Sequence, residues 1–152
     1  MGQTQIKQVI HAPRAEVYRA LLDPKAIETW RVPEGMRCKV HQFEAVEGGR
    51  FRVSLTYEEE TGAGKTTAHT DTYHGHFAEL VPDTKIVESI EFETTNPQLQ
   101  GVMTITTELR DKDGGTEVVA SHAGLPPGVS PEDNETGWKM SMEKLAALLE
   151  RP

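Results

Sequence analysis

Apolar positions recur at two different periods along this chain, and the change of period divides it. Thr4 to His11 alternates weakly, Ile6, Gln8 and Ile10 against Lys7 and Val9, which predicts a strand. Pro13 suits a first helical turn, and Val17, Ala20 and Leu21 with Tyr18 predict a short amphipathic helix behind it. Asp23-Pro24 breaks that helix and opens a second, shorter one through Ala26, Ile27 and Trp30. Residues 32–35, Val-Pro-Glu-Gly, read as a turn.

From Met36 to about Leu125 the period is two. Strands are expected at Cys38–Ala45, Phe51–Tyr57, Thr70–Val81, Lys85–Thr94, Gly101–Arg110 and Thr116–Gly124. The clearest alternation is Phe51, Val53, Leu55 and Tyr57 against Arg50, Arg52, Ser54 and Thr56. Turns are signalled by Glu47-Gly48-Gly49, Pro82-Asp83, Asn96-Pro97 and Asp113-Gly114-Gly115. Residues 58–69 are polar, with Gly62 and Gly64, and read as a mobile loop. The helical period then returns. Ser130-Pro131-Glu132-Asp133 supplies an N-cap and an acidic first turn. Between Asn134 and Glu150, Trp138, Met142, Leu145 and Leu149 share a face that Ala146 and Leu148 widen.

One strand, two short helices, six more strands joined by short turns and one long helix define an α+β chain with an antiparallel meander. The sheet has one apolar face, and only the last helix is long enough to cover it. The space between helix and sheet is therefore the expected working site. Residues 1–152 read as one domain, with no repeat, linker or low-complexity tract.

Composition narrows the function. The net charge is −8 with basic residues scattered, which argues against nucleic acid as a partner. No apolar run is long enough to span a bilayer, and Met1–Gln5 begins no secretory signal, so a cytoplasmic location is expected. Cys38 is the single cysteine, which excludes an internal disulfide. Gly64-Lys65-Thr66 has the end of a phosphate-binding loop, but Glu59 stands where its first glycine belongs, and a strand follows. No nucleotide site is expected, and no cofactor. His74 and His76, about 7 Å apart on the wet face with Asp71 and His69 nearby, lack an HExxH motif or a cysteine pair, so no metal site is expected.

Alternation also selects the inward residues. On the strands these include Phe51, Val53, Leu55, Tyr73, Phe77, Ile90 and Met103, with a bulge near Glu79 turning Leu80 inward as well. Trp30, Trp138 and Met142 would close the ends of the chamber. Glu88 is in phase with Ile86, Ile90 and Phe92, and His122 with Val118 and Ala120. Facing inward, they would put a carboxylate and an imidazole in an apolar chamber. Burial would hold the carboxyl proton, and a nearby carboxylate would raise the histidine. The alternatives are an exposed sheet margin for Glu88 and a structurally satisfied histidine for His122.

Gly48-Gly49-Arg50-Phe51, Gly75-His76-Phe77-Ala78-Glu79-Leu80-Val81-Pro82, Gly115-Thr116 leading to His122-Ala123-Gly124-Leu125, and Gly137-Trp138 opening the long helix resemble, in this order, the START-like helix-grip (SRPBCC) superfamily. Within it they are similar to the branch named for the activator of Hsp90 ATPase. The resemblance implies a seven-stranded antiparallel sheet wrapped around the C-terminal helix, with a deep apolar cavity for a lipid-like or polyketide-like molecule. It also implies alternatives: a cyclase or dehydratase using His122, Glu88 or Tyr73, or a module that touches a chaperone. Too few titratable groups cluster to favour an enzyme. The family's Asp-x-Arg-x-Gly-Gly turn is here Glu44-Ala45-Val46-Glu47-Gly48-Gly49, and Glu88 replaces an aromatic residue.

Overall fold

The computed structural model describes residues 2–32, 35–57, 70–94 and 97–150. The expected loop at 58–69, with its Gly64-Lys65-Thr66 fragment and His69, and parts of the turns at 32–35 and 96–97 lie outside these residues.

Strand β1 (Gly2–Ile10) leads to helices α1 (Arg14–Leu21) and α2 (Pro24–Trp30). Six strands follow: β2 (Met36–Phe43), β3 (Arg50–Tyr57), β4 (Thr70–Val81), β5 (Lys85–Phe92), β6 (Met103–Lys112) and β7 (Gly115–Leu125). Helix α3 (Pro131–Leu149) comes last, and one 3-10 turn, Pro97–Leu99, interrupts the β5–β6 connection. The sheet is antiparallel in the order β1-β7-β6-β5-β4-β3-β2. The meander runs from β2 to β7, and β1 completes the far edge.

Turn chemistry sets the registers. Asp113 (φ 51°) and Gly114 (φ 81°) form a two-residue loop with both φ positive. That geometry matches the twist of the β6–β7 pair, and Asp and Gly tolerate it at low cost. The β4–β5 register shifts between Phe77 and Glu79, which lets Leu80 pack partly against the core. At the same point the β2–β3 turn docks on β4: Gly48 N–H donates to the Phe77 carbonyl (2.8 Å), and Phe77 N–H to the Gly49 carbonyl (2.9 Å).

Helix α3 lies across the apolar face with Met142 and Leu145 fully buried. It is tied at both ends. The Asn134 amide reaches Thr4 on β1 (2.9 Å), and the Glu150 carboxylate accepts from His11 N–H (2.8 Å). Between them Lys144 donates to the Val32 carbonyl (2.8 Å), joining α3 to the segment after α2. No described helix is long and apolar enough to cross a membrane.

Candidate functional site

The buried polar groups follow from strand register. Thr4 pairs with His122, His122 with Ile105, Ile105 with Glu88 and Glu88 with Phe77. This single cross-strand row spans β1, β7, β6, β5 and β4 on the inner face. Glu88 is 4% exposed and His122 1%. Glu88 is thus not at a sheet margin.

The charge of Glu88 is answered by Arg31, the residue that ends α2. Arg31 Nη1 donates to Glu88 Oε2 at 2.9 Å, and both side chains are almost wholly shielded from solvent. The guanidinium lies 5.0 Å from the Trp138 ring centroid and 5.5 Å from that of Tyr73. A buried cation between two aromatic faces and a carboxylate is compensated on three sides. Burial, the largest single effect, pulls the guanidinium down, but the charge of Glu88, the nearby Tyr73 and the hydrogen bond to Glu88 together, with a smaller part from Cys38, more than offset it and leave it above its ordinary value.

His122 is differently placed. Asn134 Nδ2 lies 2.8 Å from His122 Nδ1. An amide nitrogen only donates, so Nδ1 accepts and the ring proton resides on Nε2. Nε2 is buried and has no partner among the described residues. The expected rise in the histidine's pKa is reversed. Burial, then the positive charge of Arg31, lowers it to about 4. The carboxylate that was to raise it is engaged by Arg31 instead. His122 also meets the Trp138 ring edge-on at 4.7 Å, and Trp30 meets Trp138 at 6.3 Å.

Beside this cluster lies a cavity of about 230 Å³ between the first half of α3 and strands β3–β6. Its strand wall is Leu55, Tyr73, Ile90, Phe92, Met103 and Ile105. Its helix wall is Asn134, Gly137, Trp138 and Ser141, and Arg31 and Met36 contribute from the side. The exposed Asp71 and Asp133 stand at its mouth. The Tyr73 hydroxyl is buried without a hydrogen-bond partner among the described residues, and burial is the main cause that raises its pKa.

Of the residues expected to line a chamber, Leu55, Tyr73, Ile90, Met103 and Trp138 do so. Glu88 and His122 are buried beside it, reaching it through Arg31 and Trp138. Phe51, Val53, Phe77 and Met142 sit elsewhere, in solid core. Phe51, Phe77 and Phe43 crowd together with centroids 5.1–6.4 Å apart and fill that end of the interior. Trp30 is core as well, its indole N–H given to the Ala20 carbonyl (3.3 Å). The chamber is therefore local, not the full length of the helix. Arg31, Met36, Asn134, Gly137 and Ser141 were not foreseen.

On the outer face His74 lies between Glu93 (2.9 Å) and Glu91 (3.2 Å), and Arg52 grips Glu93 through two hydrogen bonds. Those bonds, the Arg52 one foremost, lower Glu93 to about 2. Among the described residues no three His, Cys, Asp or Glu side chains are arranged to hold a metal ion. Burial pushes the Cys38 thiol up to about 11, against the pull of Arg31, so it is a poor nucleophile.

A seven-stranded antiparallel sheet curled against one long C-terminal helix, with a small apolar chamber between them, is the helix-grip fold. The chain belongs to the family of activator of Hsp90 ATPase homolog 1-like proteins, whose profile matches residues 11–150. No curated protein matches it. Among solved structures it is similar to protein CV1439 from Chromobacterium violaceum, at 31% identity over 99% of this chain and 98% of that one, with a TM-score of 0.88. An AHSA1-like protein from Aeromonas hydrophila shares the fold at 17% identity (98% and 92% covered, TM-score 0.74). DynU16, from the dynemicin biosynthetic locus, shares it at 18% identity, with 97% of this chain matched to 47% of that one and a TM-score of 0.68.

Proposed function

We propose that the chain binds a small, mostly apolar molecule in the cavity under α3 and performs no chemistry on it. The observation that supports this is a hollow with aliphatic and aromatic walls and a few convergent polar groups, the usual make-up of a small-molecule site. The titratable groups beside it are ill-suited to proton transfer at neutral pH. Glu88 is held by Arg31, His122 is kept neutral, and the Tyr73 hydroxyl holds its proton. This weighs against a cyclase or dehydratase. Contact with a chaperone is a second reading, carried by the family's description. It would use the outer sheet face, with Arg52, His74 and Glu91.

The test is native mass spectrometry of the purified chain for co-purifying molecules, with a thermal-shift screen of small neutral aromatics. A binder raises apparent stability by mass action. Ser141→Phe, which puts a ring into the chamber from the helix wall, is expected to abolish both signals. A screen with no hits, or one on which Ser141→Phe has no effect, refutes the reading. A changed Hsp90 ATPase rate on adding the chain would favour the chaperone instead.

A further inference from the structure

Size, charge and unspent donors together narrow the ligand class, given that the cavity binds a small molecule at all. We infer that the occupant is uncharged, no larger than about two fused rings, and presents an oxygen acceptor to the Arg31 guanidinium. The volume sets the first limit. An engineered apolar hollow of about 150 Å³ takes up benzene, and this one, at about 230 Å³, is half as large again. It suits a bicyclic aromatic skeleton. A long acyl chain or a tetracyclic polyketide does not fit.

Charge sets the second. Among the described residues Arg31 supplies the only cation in the wall, and the Glu88 carboxylate already neutralises it at 2.9 Å. An entering anion would be a second negative charge on one buried cation, with Asp71 and Asp133 repelling it at the mouth. The chain's net charge of −8 acts in the same direction. Donors set the third. A guanidinium carries five N–H groups, and the one side-chain hydrogen bond Arg31 makes to a described residue uses Nη1. Tyr73, in the same wall, has a buried hydroxyl without a described partner and its ring 5.5 Å from the guanidinium. Unspent donors at an apolar wall select a neutral acceptor such as a ketone, quinone or ester oxygen over a plain hydrocarbon.

The experiment titrates the full chain at neutral pH with naphthalene, 2-acetylnaphthalene, 2-naphthoate and 2-acetylanthracene, by calorimetry and by tryptophan fluorescence. The two-ring ketone is expected to bind about tenfold tighter than naphthalene, and tighter still relative to the naphthoate and the three-ring ketone. The double variant Arg31→Met/Glu88→Gln removes the guanidinium without stranding a carboxylate. It is expected to lose the preference for the ketone, the ketone-to-naphthalene affinity ratio falling from about ten to about one. Naphthoate or the three-ring ketone binding as tightly as the two-ring ketone, or naphthalene binding equally well, overturns the inference on the unaltered chain alone and leaves the binding function standing. A ketone preference that survives in the double variant also overturns it. Failure of all four compounds to bind sinks both.

Discussion

Removing one member of the Arg31–Glu88 pair should cost far more than removing both. The two side chains are 10% and 6% exposed and 2.9 Å apart. Breaking such a pair leaves a buried charge and typically costs about 3–5 kcal/mol, whereas replacing both members with neutral groups is often nearly neutral. For Arg31→Met the figure can be reached independently. The stranded Glu88 can shed its charge by taking a proton. Holding an acid of ordinary pKa near 4.3 neutral at pH 7 costs about 2.7 × 1.36, or ~3.7 kcal/mol. That escape becomes cheaper as pH falls and is nearly free around pH 4.3. Arg31 has no such escape. Stranded by Glu88→Gln, it keeps its two ring faces, worth roughly 0.5–2 kcal/mol, and an amide oxygen to donate to.

Urea denaturation of the four chains, with the slope checked for constancy, measures this. At pH 7 each single variant should lose about 3 kcal/mol or more, lowering Tm by roughly 6 °C or more for a chain of this size. The double variant should lie within about 2 kcal/mol of the parent. As pH is lowered towards 5, the Arg31→Met penalty should shrink and the Glu88→Gln penalty should not. Single losses below about 1 kcal/mol, losses that add in the double variant, or a pH-independent Arg31→Met penalty would each refute the reasoning.

His122 gives a second pH signature. Its folded-state pKa, about 4, lies below the ordinary 6.5, so its contribution to stability is complete above pH 6.5 and is lost as pH falls through 4, roughly 3 kcal/mol in all. His122→Gln should flatten the stability profile in that window, while the Glu93 contribution, with a pKa lowered to about 2, fades only between about 4.5 and 2. Gly137 lies inside α3 with nothing within 4 Å of where a Cβ would stand. Gly137→Ala should therefore stabilise the helix by about 0.5–1 kcal/mol, read as a rise in Tm of roughly 1–4 °C. Leu145 is fully buried under the sheet, and Leu145→Ala should cost about 2–5 kcal/mol in the same urea assay.

Much of the fold was legible in the residues. Alternation through Phe51, Val53 and Leu55 gave β3 its inner face, Asp113-Gly114 gave the β6–β7 turn, and the bulge near Glu79 was visible as a phase break. Strand ends were displaced by about two residues at most: β2 begins at Met36 rather than Cys38, and β6 ends at Lys112 rather than Arg110. Arg31 was illegible because it belongs to no periodic face. It follows the last turn of α2, and nothing local marks that arginine among the 16 basic residues as the buried one. Yet a carboxylate in phase with Ile86 and Ile90 cannot be buried alone, so Glu88 by itself demanded a cation somewhere in the chain.

The position of the hollow has a similar explanation. Period-two patterning says which way a side chain points, and says nothing about how much space the opposite layer leaves. Under the Phe43, Phe51 and Phe77 end the rings fill that space. Towards the start of α3, the helix presents Gly137 and Ser141, four residues apart on one face, opposite Ile90 and Met103. Two small residues at i and i+4 cannot reach the sheet, and the neighbouring Trp138 is drawn aside by Trp30, His122 and the Arg31 guanidinium. The cavity is therefore a consequence of side-chain size on the helix combined with a buried cation that holds the tryptophan. The second condition ties the two halves of the site together: the Arg31–Glu88 pair that keeps the cavity wall neutral also keeps its roof from closing.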